Sequence, residues 1–506
     1  MGTGITTINS LGLAGMQTAQ TGMANVATNV SGAAVDGFHR REVHPLMSSA
    51  STNPLVQGGT VIIDSVMRSY SSLLSMQYLS NHGKVKQASA LNVAAEVIDK
   101  MLVDESTGLT DVFNGFFTSA SDLSADPASG TARSAFSTTS KELTDRLRSL
   151  AATIEETRRQ ALVQMTGVVD AVNEKAEALA RVNQLIQASS AYGKPLPSAD
   201  LLDERDRLTG QLVDLTGATV YTTDSGQATL RFDGLSLVDG NQAARLAPQY
   251  DSGSGSQAPL PSGLVNVYLP RGEGSRNQGL GGLVATLGGS VLGGQFGGLM
   301  RYAEGAEDWL KRLDKMALSL VDFGNPRDAS QAEQTWYTKG IDSQTQTLQT
   351  FSGMFQVAPN GYDSNKWLDD GTGELVILTR SERPSLSISS TMISGDDVPW
   401  SQDDKLSATV DQSYIIHVAG GRSAQMREWS DWVSSVSSDL SKWRAEEASF
   451  TAVHQALEVQ GQQISGVDLD QEATDLLKFQ QIYQANSAVI QAAMRMFDTL
   501  ISATGR

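Results

Sequence analysis

The chain has 506 residues, a formal net charge of −18 and no cysteine, a length that allows about three or four domains. The acid excess argues against nucleic-acid binding, which needs clustered Lys and Arg. The missing cysteine excludes disulfides and thiolate metal sites, and no run of 18 apolar residues offers a membrane-spanning helix.

Residues 2–35 contain no ionisable side chain; the first is Asp36. The stretch lacks the basic start and unbroken apolar middle of a cleaved secretion signal. Read as a helix, it puts Ile5, Ile8, Gly12, Gly15, Ala19, Gly22 and Val26 on one seam. Leu11, Met16 and Met23 add apolar side chains beside it. Each interior glycine costs a helix about 1 kcal/mol relative to alanine, so small residues help here only where a second backbone comes close. Residues 31–57 show little periodicity and read as a linker. "TVIIDSVMRSY" then reads as a strand with a helix to follow.

The stretch 101–130 holds a short helix closed by Asp126-Pro127. Residues 134–190 read as one long helix with the seam Met165, Val169, Val172, Ala176, Leu179, Asn183 and Ile186. "AYGKPLPSAD" ends it with two prolines and supplies a capping Ser or Asp for the next helix. Residues 218–247 alternate as strands, with hairpin turns at Asp224-Ser225-Gly226 and Asp239-Gly240. Residues 250–263 read as a solvated loop. A helix over about 301–322 is expected to bury Trp309, Leu313, Met316 and Leu320.

Between 330 and 424 turns multiply, and runs such as "GELVILTR" and "SYIIHVAGG" read as strands. This predicts a β insertion that leaves the helical domain at 325 and returns near 425. If Trp309 and Trp443 face one bundle, the helices flanking the insertion are neighbours. Val433, Val436, Leu440, Trp443, Phe450, His454, Leu457 and Ile464 keep a heptad, interrupted by Glu447 and Gly461. A joint is expected at Ser465-Gly466. Beyond it, Leu469, Ala473, Leu476, Gln480, Tyr483, Ser487, Ile490, Met494, Phe497 and Ile501 form a second seam, and residues 479–494 carry no charge. Leu477, Phe479, Ile482 and Val489 lie off that seam. A helix apolar on several sides must be buried on several sides, so the two ends are expected to pair with each other and then with neighbouring copies.

Little suggests chemistry. The five histidines, His39, His44, His82, His417 and His454, show no ligand spacing, and the seam position of His454 suits packing. Asp203, Glu204 and Asp206 beside Arg205 and Arg207 suit surface pairing, with Asp203 and Arg207 four apart on one helix face. The glycines at 279–282 and 293–298 lack the Lys-Ser/Thr of a phosphate loop and suit tight turns instead. No catalytic, cofactor or metal residue is expected.

"INSLGLAGMQTAQTGMANVATNV" and "SGVDLDQEATDLLKFQQIYQANSAVIQAAMRMFDTLI" resemble the shared end signatures of the bacterial flagellar axial proteins. "SADLLDERDRLTGQLVDLTGATV" (198–220), "GGTVIIDSVMRSYSSLLSMQY" (58–78) and "LGGQFGGLMRYAEGAEDWLKRLDKMALSL" (292–320) are similar, in order, to internal blocks of that family's hook-associated branch. Asn29, Gly37, Phe38 and Arg40 fit its N-terminal signature, whereas Gly32 and Asp36 replace the usual Asn and Pro; Leu201, Leu202, Asp203, Arg205 and Asp206 fit the internal block.

The resemblance implies a mainly α fold with inserted β domains: a terminal coiled coil, a long-helix bundle formed from discontinuous segments, and a β-rich outer domain. The expected divisions are 1–45 with 465–506 for the coiled coil; 46–200, 271–325 and 425–464 for the bundle; 201–270 for a small β subdomain; and 330–424 for the outer domain. It implies a non-enzymatic adaptor at the flagellar hook–filament junction, exported through the flagellar type III pathway. Implied partners are the hook protein, a second junction protein of the hook-associated protein 3 type, copies of itself in a ring, and a cytoplasmic chaperone at the closing helix. Other axial proteins of hook or rod type are the nearest alternative. An exported enzyme or adhesin on axial ends is a more distant one.

Overall fold

Long uninterrupted helical periodicity gives long helices, and these carry the molecule. The computed structural model describes residues 2–35, 38–48, 60–103, 109–191, 198–250, 261–268, 282–288, 291–324, 337–341, 348–352, 354–356, 383–390 and 412–504. Helix α1 (Gly2–Gly32) opens the chain, followed by the antiparallel ribbon β1 (Arg41–Ser48) and β2 (Thr60–Arg68). The body holds α2 (Ser72–Val103), α3 (Leu109–Ala125), α4 (Gly130–Ala191), α5 (Ala199–Thr216) and α6 (Gly294–Gly324). A short helix α7 (Pro384–Ser387), then α8 (Gln412–Gly420), α9 (Arg422–Ser465) and α10 (Leu469–Thr504), complete the helices.

The seam expected on α4 is its buried stripe: Met165, Val169, Val172, Ala176, Leu179, Asn183 and Ile186 are all sealed from solvent. Asn183 is polar because it clips a sheet to the helix. Its Nδ2 donates to the carbonyls of Ala228 and Gly240, both at 2.8 Å, and its Oδ1 accepts from the Ala228 N–H at 2.9 Å. Asn173 does the same to Leu246. The clipped strands form two antiparallel sheets. One runs β3 (Thr219–Thr222), β4 (Ala228–Phe232), β5 (Leu235–Asp239), β6 (Gln242–Ala243); the other β7 (Arg245–Tyr250), β8 (Pro261–Tyr268), β9 (Leu283–Leu287). A further Asp-Gly turn closes β4–β5, with Asp233 at φ 44° and Gly234 at φ 80°, the backbone that a two-residue hairpin requires.

Ser198 caps α5, accepting from the Leu201 N–H, and Gly217 ends it at φ 64°. Glycine is needed at 217 twice over, because a Cβ there would sit 2.7 Å from the Cα of Gly293. The 293–298 glycines thus serve close approach as well as turning: a Cβ on Gly298 would fall 2.2 Å from the Gln87 carbonyl of α2.

Trp309 of α6 and Trp443 of α9 stack with ring centroids 5.4 Å apart. Trp309 Nε1 donates to Asp439, and Trp432 Nε1 donates to the Trp309 carbonyl. The helices on either side of the insertion are therefore neighbours. Glu447 does not break the α9 seam, because Asn92 of α2 donates to it at 2.7 Å.

Two sequence expectations are corrected. Part of the 31–57 linker is strand β1, whose alternation is interrupted by Pro45 at a register shift beside His44. "SYIIHVAGG" is mostly helix α8, not strand, and it buries Ile415 and Val418; a short apolar run does not by itself separate the two. The described parts of the insertion also include β10 (Tyr337–Ile341), β11 (Leu348–Ser352), β12 (Phe355–Gln356) and β13 (Ser389–Ser390). Met354, Phe355 and Ile388 are buried in the same core as α3, α4 and α6. The expected strand "GELVILTR", Trp336, Trp367 and Trp400 lie outside the described residues.

Candidate assembly interface

The two ends of the chain meet. Helix α1 runs antiparallel along α10, and its glycines are the points of closest approach. A Cβ at Gly12 would come 2.6 Å from Ile490, at Gly15 2.5 Å from Asn486, and at Gly22 2.4 Å from Phe479. Each glycine is a notch that receives one side chain of the partner helix, which offsets its poor helix propensity. Gly12, Ala19, Gly22, Val26 and Asn29 form the buried stripe of α1.

On α10 Glu472, Phe479, Asn486 and Ala493 face α1, together with Ile490 of the expected seam, which enters the notch at Gly12. The other expected seam residues differ in burial. Leu476 and Tyr483 are half-buried, as are Phe479, Asn486 and Ile490, while Leu469, Met494 and Phe497 are exposed, the last at 51%. On α1, Ala19 and Val26 are buried, Met16 and Met23 half-buried, and Ile8 and Leu11 exposed. The side chains of Ile5 and Ile501 lie outside the described residues. With Leu13, Leu477, Val489 and Met496 also exposed, the pair buries one stripe and leaves many apolar side chains open.

Beneath the pair is a polar joint. Asn29, 1% exposed, grips the backbone of Arg41: its Nδ2 donates to the Arg41 carbonyl and its Oδ1 accepts from the Arg41 N–H, both at 2.9 Å. The same Nδ2 donates to Glu472 at 3.1 Å. Arg40 donates from Nε to Glu472 at 2.8 Å and pairs with Glu42 and Asp475. The Arg40 N–H also donates to the Ser465 carbonyl at 3.0 Å, at the α9–α10 joint. Phe38 fills the space over Gly32, where a Cβ would lie 2.6 Å from its ring, and the Arg41 guanidinium sits 5.1 Å from the ring centroid. Gly37 lies outside the described residues.

Arg41 and Arg68, from facing ends of β1 and β2, converge on α5. Arg41 reaches Asp200 and Asp203, each at 2.7 Å; Arg68 reaches Asp203 and Asp206, each at 2.8 Å. The expected Asp203–Arg207 pair is not made. Arg207 pairs with Glu204, and Asp203 is claimed by two guanidiniums and His39. Arg205 is buried and donates to the Gly226 carbonyl, holding the β3–β4 turn, and also pairs with Asp206. Leu201 and Leu202 pack half-buried against the core. The acidic block is therefore a socket for the ribbon's arginines. Neither spacing nor periodicity reveals this; the only sequence signal was the block's resemblance to a family motif.

Burial pushes the Asp203 carboxyl up, but hydrogen bonds from His39, Arg68 and Arg41 more than offset this and hold it at about 2. A depressed carboxyl contributes stability that is complete above its unfolded value near 3.8 and is lost as pH falls toward 2. Asp203→Asn should loosen the socket by roughly 2 kcal/mol, read as a lower midpoint in urea at neutral pH. The deficit should shrink in acid, where the wild-type carboxyl is also neutral.

Among the described residues, no group of three His, Cys, Asp or Glu side chains could hold a metal, and no helix is long and apolar enough to cross a membrane.

Several known proteins are similar to this chain. Residues 95–333 match the family model for the flagellar hook-associated protein FlgK helical domain. Residues 460–503 match that for the flagellar basal body rod FlgEFG protein C-terminal region. Flagellar hook-associated protein 1 of Salmonella typhimurium is 24% identical over 97% of this chain and 98% of its own length. The proteins of that name from Escherichia coli K12 and Bacillus subtilis are 23% and 22% identical, the first over 97% and the second over 96% of this chain. The solved flagellar hook junction protein FlgK from Burkholderia pseudomallei is similar over 56% of this chain and 47% of that one, at 20% identity and a TM-score of 0.43. With a body-domain match, a closing-helix match and relatives aligned along nearly its whole length, the chain is similar throughout to flagellar hook-associated protein 1.

Proposed function

We propose that this chain is a structural adaptor at the flagellar hook–filament junction, exported through the flagellar type III pathway and added at the distal end of the hook. The observation that carries this reading is the open flank of the terminal pair. A soluble chain that stopped at this structure would leave Leu477, Met494 and Phe497 more than half exposed, on a helix with no charge from 479 to 494. Burying such surface is worth roughly 25 cal/mol per Å², and neighbouring subunits in an axial tube would bury it. Ile5, Ile8, Leu11, Met16 and Met23 on α1, with Leu469, Leu476, Tyr483, Ile490, Met494, Phe497 and Ile501 on α10, are the contact residues of this reading. Ala19 and Val26 hold the pair together from within.

The partners follow from that placement: the hook protein below, copies of this chain around a ring, and a second junction protein of the hook-associated protein 3 type above. Before export, a chaperone would cover α10, whose apolar flank otherwise invites premature association. The role is mechanical and includes no catalytic step.

Deleting 469–506 should leave a folded, exportable body that cannot join a hook. Electron microscopy of the cells should show bare hooks, and filament protein should accumulate in the medium. Filaments of normal number on the truncated protein would end the reading.

A further inference from the structure

A histidine pair lies between α2 and α9, just above the joint. Nδ1 of His82 is 3.2 Å from Nε2 of His454, with ring centroids 4.6 Å apart. Tyr78 packs on both rings, at 5.6 Å and 4.7 Å. On its far side, His82 Nε2 lies 2.7 Å from Oδ1 of Asp214 on α5, an ion-pair approach without hydrogen-bond geometry. His454 Nδ1 is buried without a hydrogen-bond partner among the described residues. Lys86 on α2 and Glu458 on α9 are the other charges acting on His454.

The geometry limits how many protons the pair can hold. A hydrogen bond between two imidazoles needs one N–H and one lone pair. With Asp214 against Nε2 of His82, neutral rings place a proton there, leave Nδ1 as acceptor and let His454 Nε2–H donate. One added proton on His82 reverses the bond, with His454 now accepting and its Nδ1–H buried unpartnered. A second added proton puts two N–H groups of two cations face to face at this separation, which the contact does not accommodate. The unfolded chain has no such limit and binds both.

We propose that the His82–His454 contact is an acid-sensitive clasp that fixes the lower half of α9 to α2 and thereby steadies the mount of the terminal helices. The last turn of α9 is tied to the start of the body by few bonds. Ser69 Oγ donates to the Ile464 carbonyl at 2.7 Å, and the Arg40 N–H donates to Ser465. Parting the histidines frees the segment between this tie and the Asn92–Glu447 bond. The sign is set by proton counting. The folded pair binds fewer protons than the unfolded chain, so stability is full above the ordinary imidazole range and falls as pH drops through it. Burial, with the facing His82, lowers the His454 pKa below 6.5, in the same direction.

The test is hydrogen exchange of the full-length chain at pH 7.5 and 5.5, corrected for intrinsic rates, for wild type and His454→Gln. In wild type, amides of 450–465 and 74–86 should lose protection several-fold at the lower pH, while the α4 amides at 165–186 hold theirs. His454→Gln, with no second cation to form, should lose much less. Equal acid losses in the two proteins, or none in wild type, would overturn the clasp. A second reading covers a variant that does not fold: the imidazole C–H proton resonances of wild type, followed by NMR. His454 should titrate below the value of a free histidine. A His454 curve at the ordinary value would overturn the proposal just as firmly. Neither measurement involves assembly, so the result stands apart from the junction reading.

Discussion

Replacing Gly15 and Gly22 together by leucine should separate the terminal helices and abolish junction assembly while leaving the body folded. A first carbon at these positions already falls 2.5 Å from Asn486 and 2.4 Å from Phe479, and leucine adds three more beyond it. Overpacking of this kind costs about 1–3 kcal/mol per site. Local propensity works the other way, since each replacement strengthens α1 as a helix by up to about 1 kcal/mol. A gain in intrinsic helicity with a loss of pairing would therefore show that close approach, not helix formation, is what the glycines serve. Limited proteolysis should cut both ends faster than in wild type, the body's thermal midpoint should move little, and cells should carry hooks without filaments. Normal filaments on the double variant would mean that the notches are incidental.

How much of this was legible in sequence depends on the partner. The α4 stripe from Met165 to Ile186 could be read because one helix face meets one continuous core, and period alone identifies the face. Trp309 and Trp443 could be matched because bulky apolar residues on two helical seams have few other places to go. On α10 the same logic found only part of the stripe: Ile490 meets Gly12 as a seam residue should, but Glu472, Phe479 and Asn486 were missed. The helix is apolar nearly all round, so hydrophobic period does not choose a phase, and the true stripe contains Glu472 and Asn486, which no hydrophobic count would select. Glu472 is there because Asn29 and Arg40, more than 400 positions earlier, satisfy it. Asp203 is the same lesson in electrostatics. Its nearest sequence partner was Arg207, but Arg41 and Arg68 bring two guanidiniums into a half-enclosed socket where charge-assisted bonds are stronger than an exposed pair four residues apart.

Arg383→Met should destabilise the chain by about 3–5 kcal/mol, although residue 383 lies in the segment that the sequence assigns to a peripheral insertion. Asp314 of α6 is wholly buried and accepts from Arg383 Nη1 at 3.0 Å, from the Ser385 N–H at 3.0 Å and from Ser385 Oγ at 2.5 Å. Arg383 also pairs with Glu307, which Arg158 of α4 holds from the other side at 3.1 Å. Removing the guanidinium leaves a buried carboxylate with two neutral donors. Burial already pushes the Asp314 carboxyl up against the pull of Arg383, and without that pull it rises further. A raised folded-state pKa favours the fold below the unfolded value near 3.8 and penalises it as pH climbs. The deficit of the variant should therefore be larger at pH 7.5 than at pH 5, opposite in sign to the acid loss at Asp203. Urea melts of wild type and variant at the two pH values measure it, and a deficit independent of pH would show that the loss is one of packing alone. The same knot sets the limits of the insertion. Met354, Phe355, Ile388, Ile415 and Val418 are core residues, so removing the whole expected insertion, 330–424, would take part of the body's interior with it.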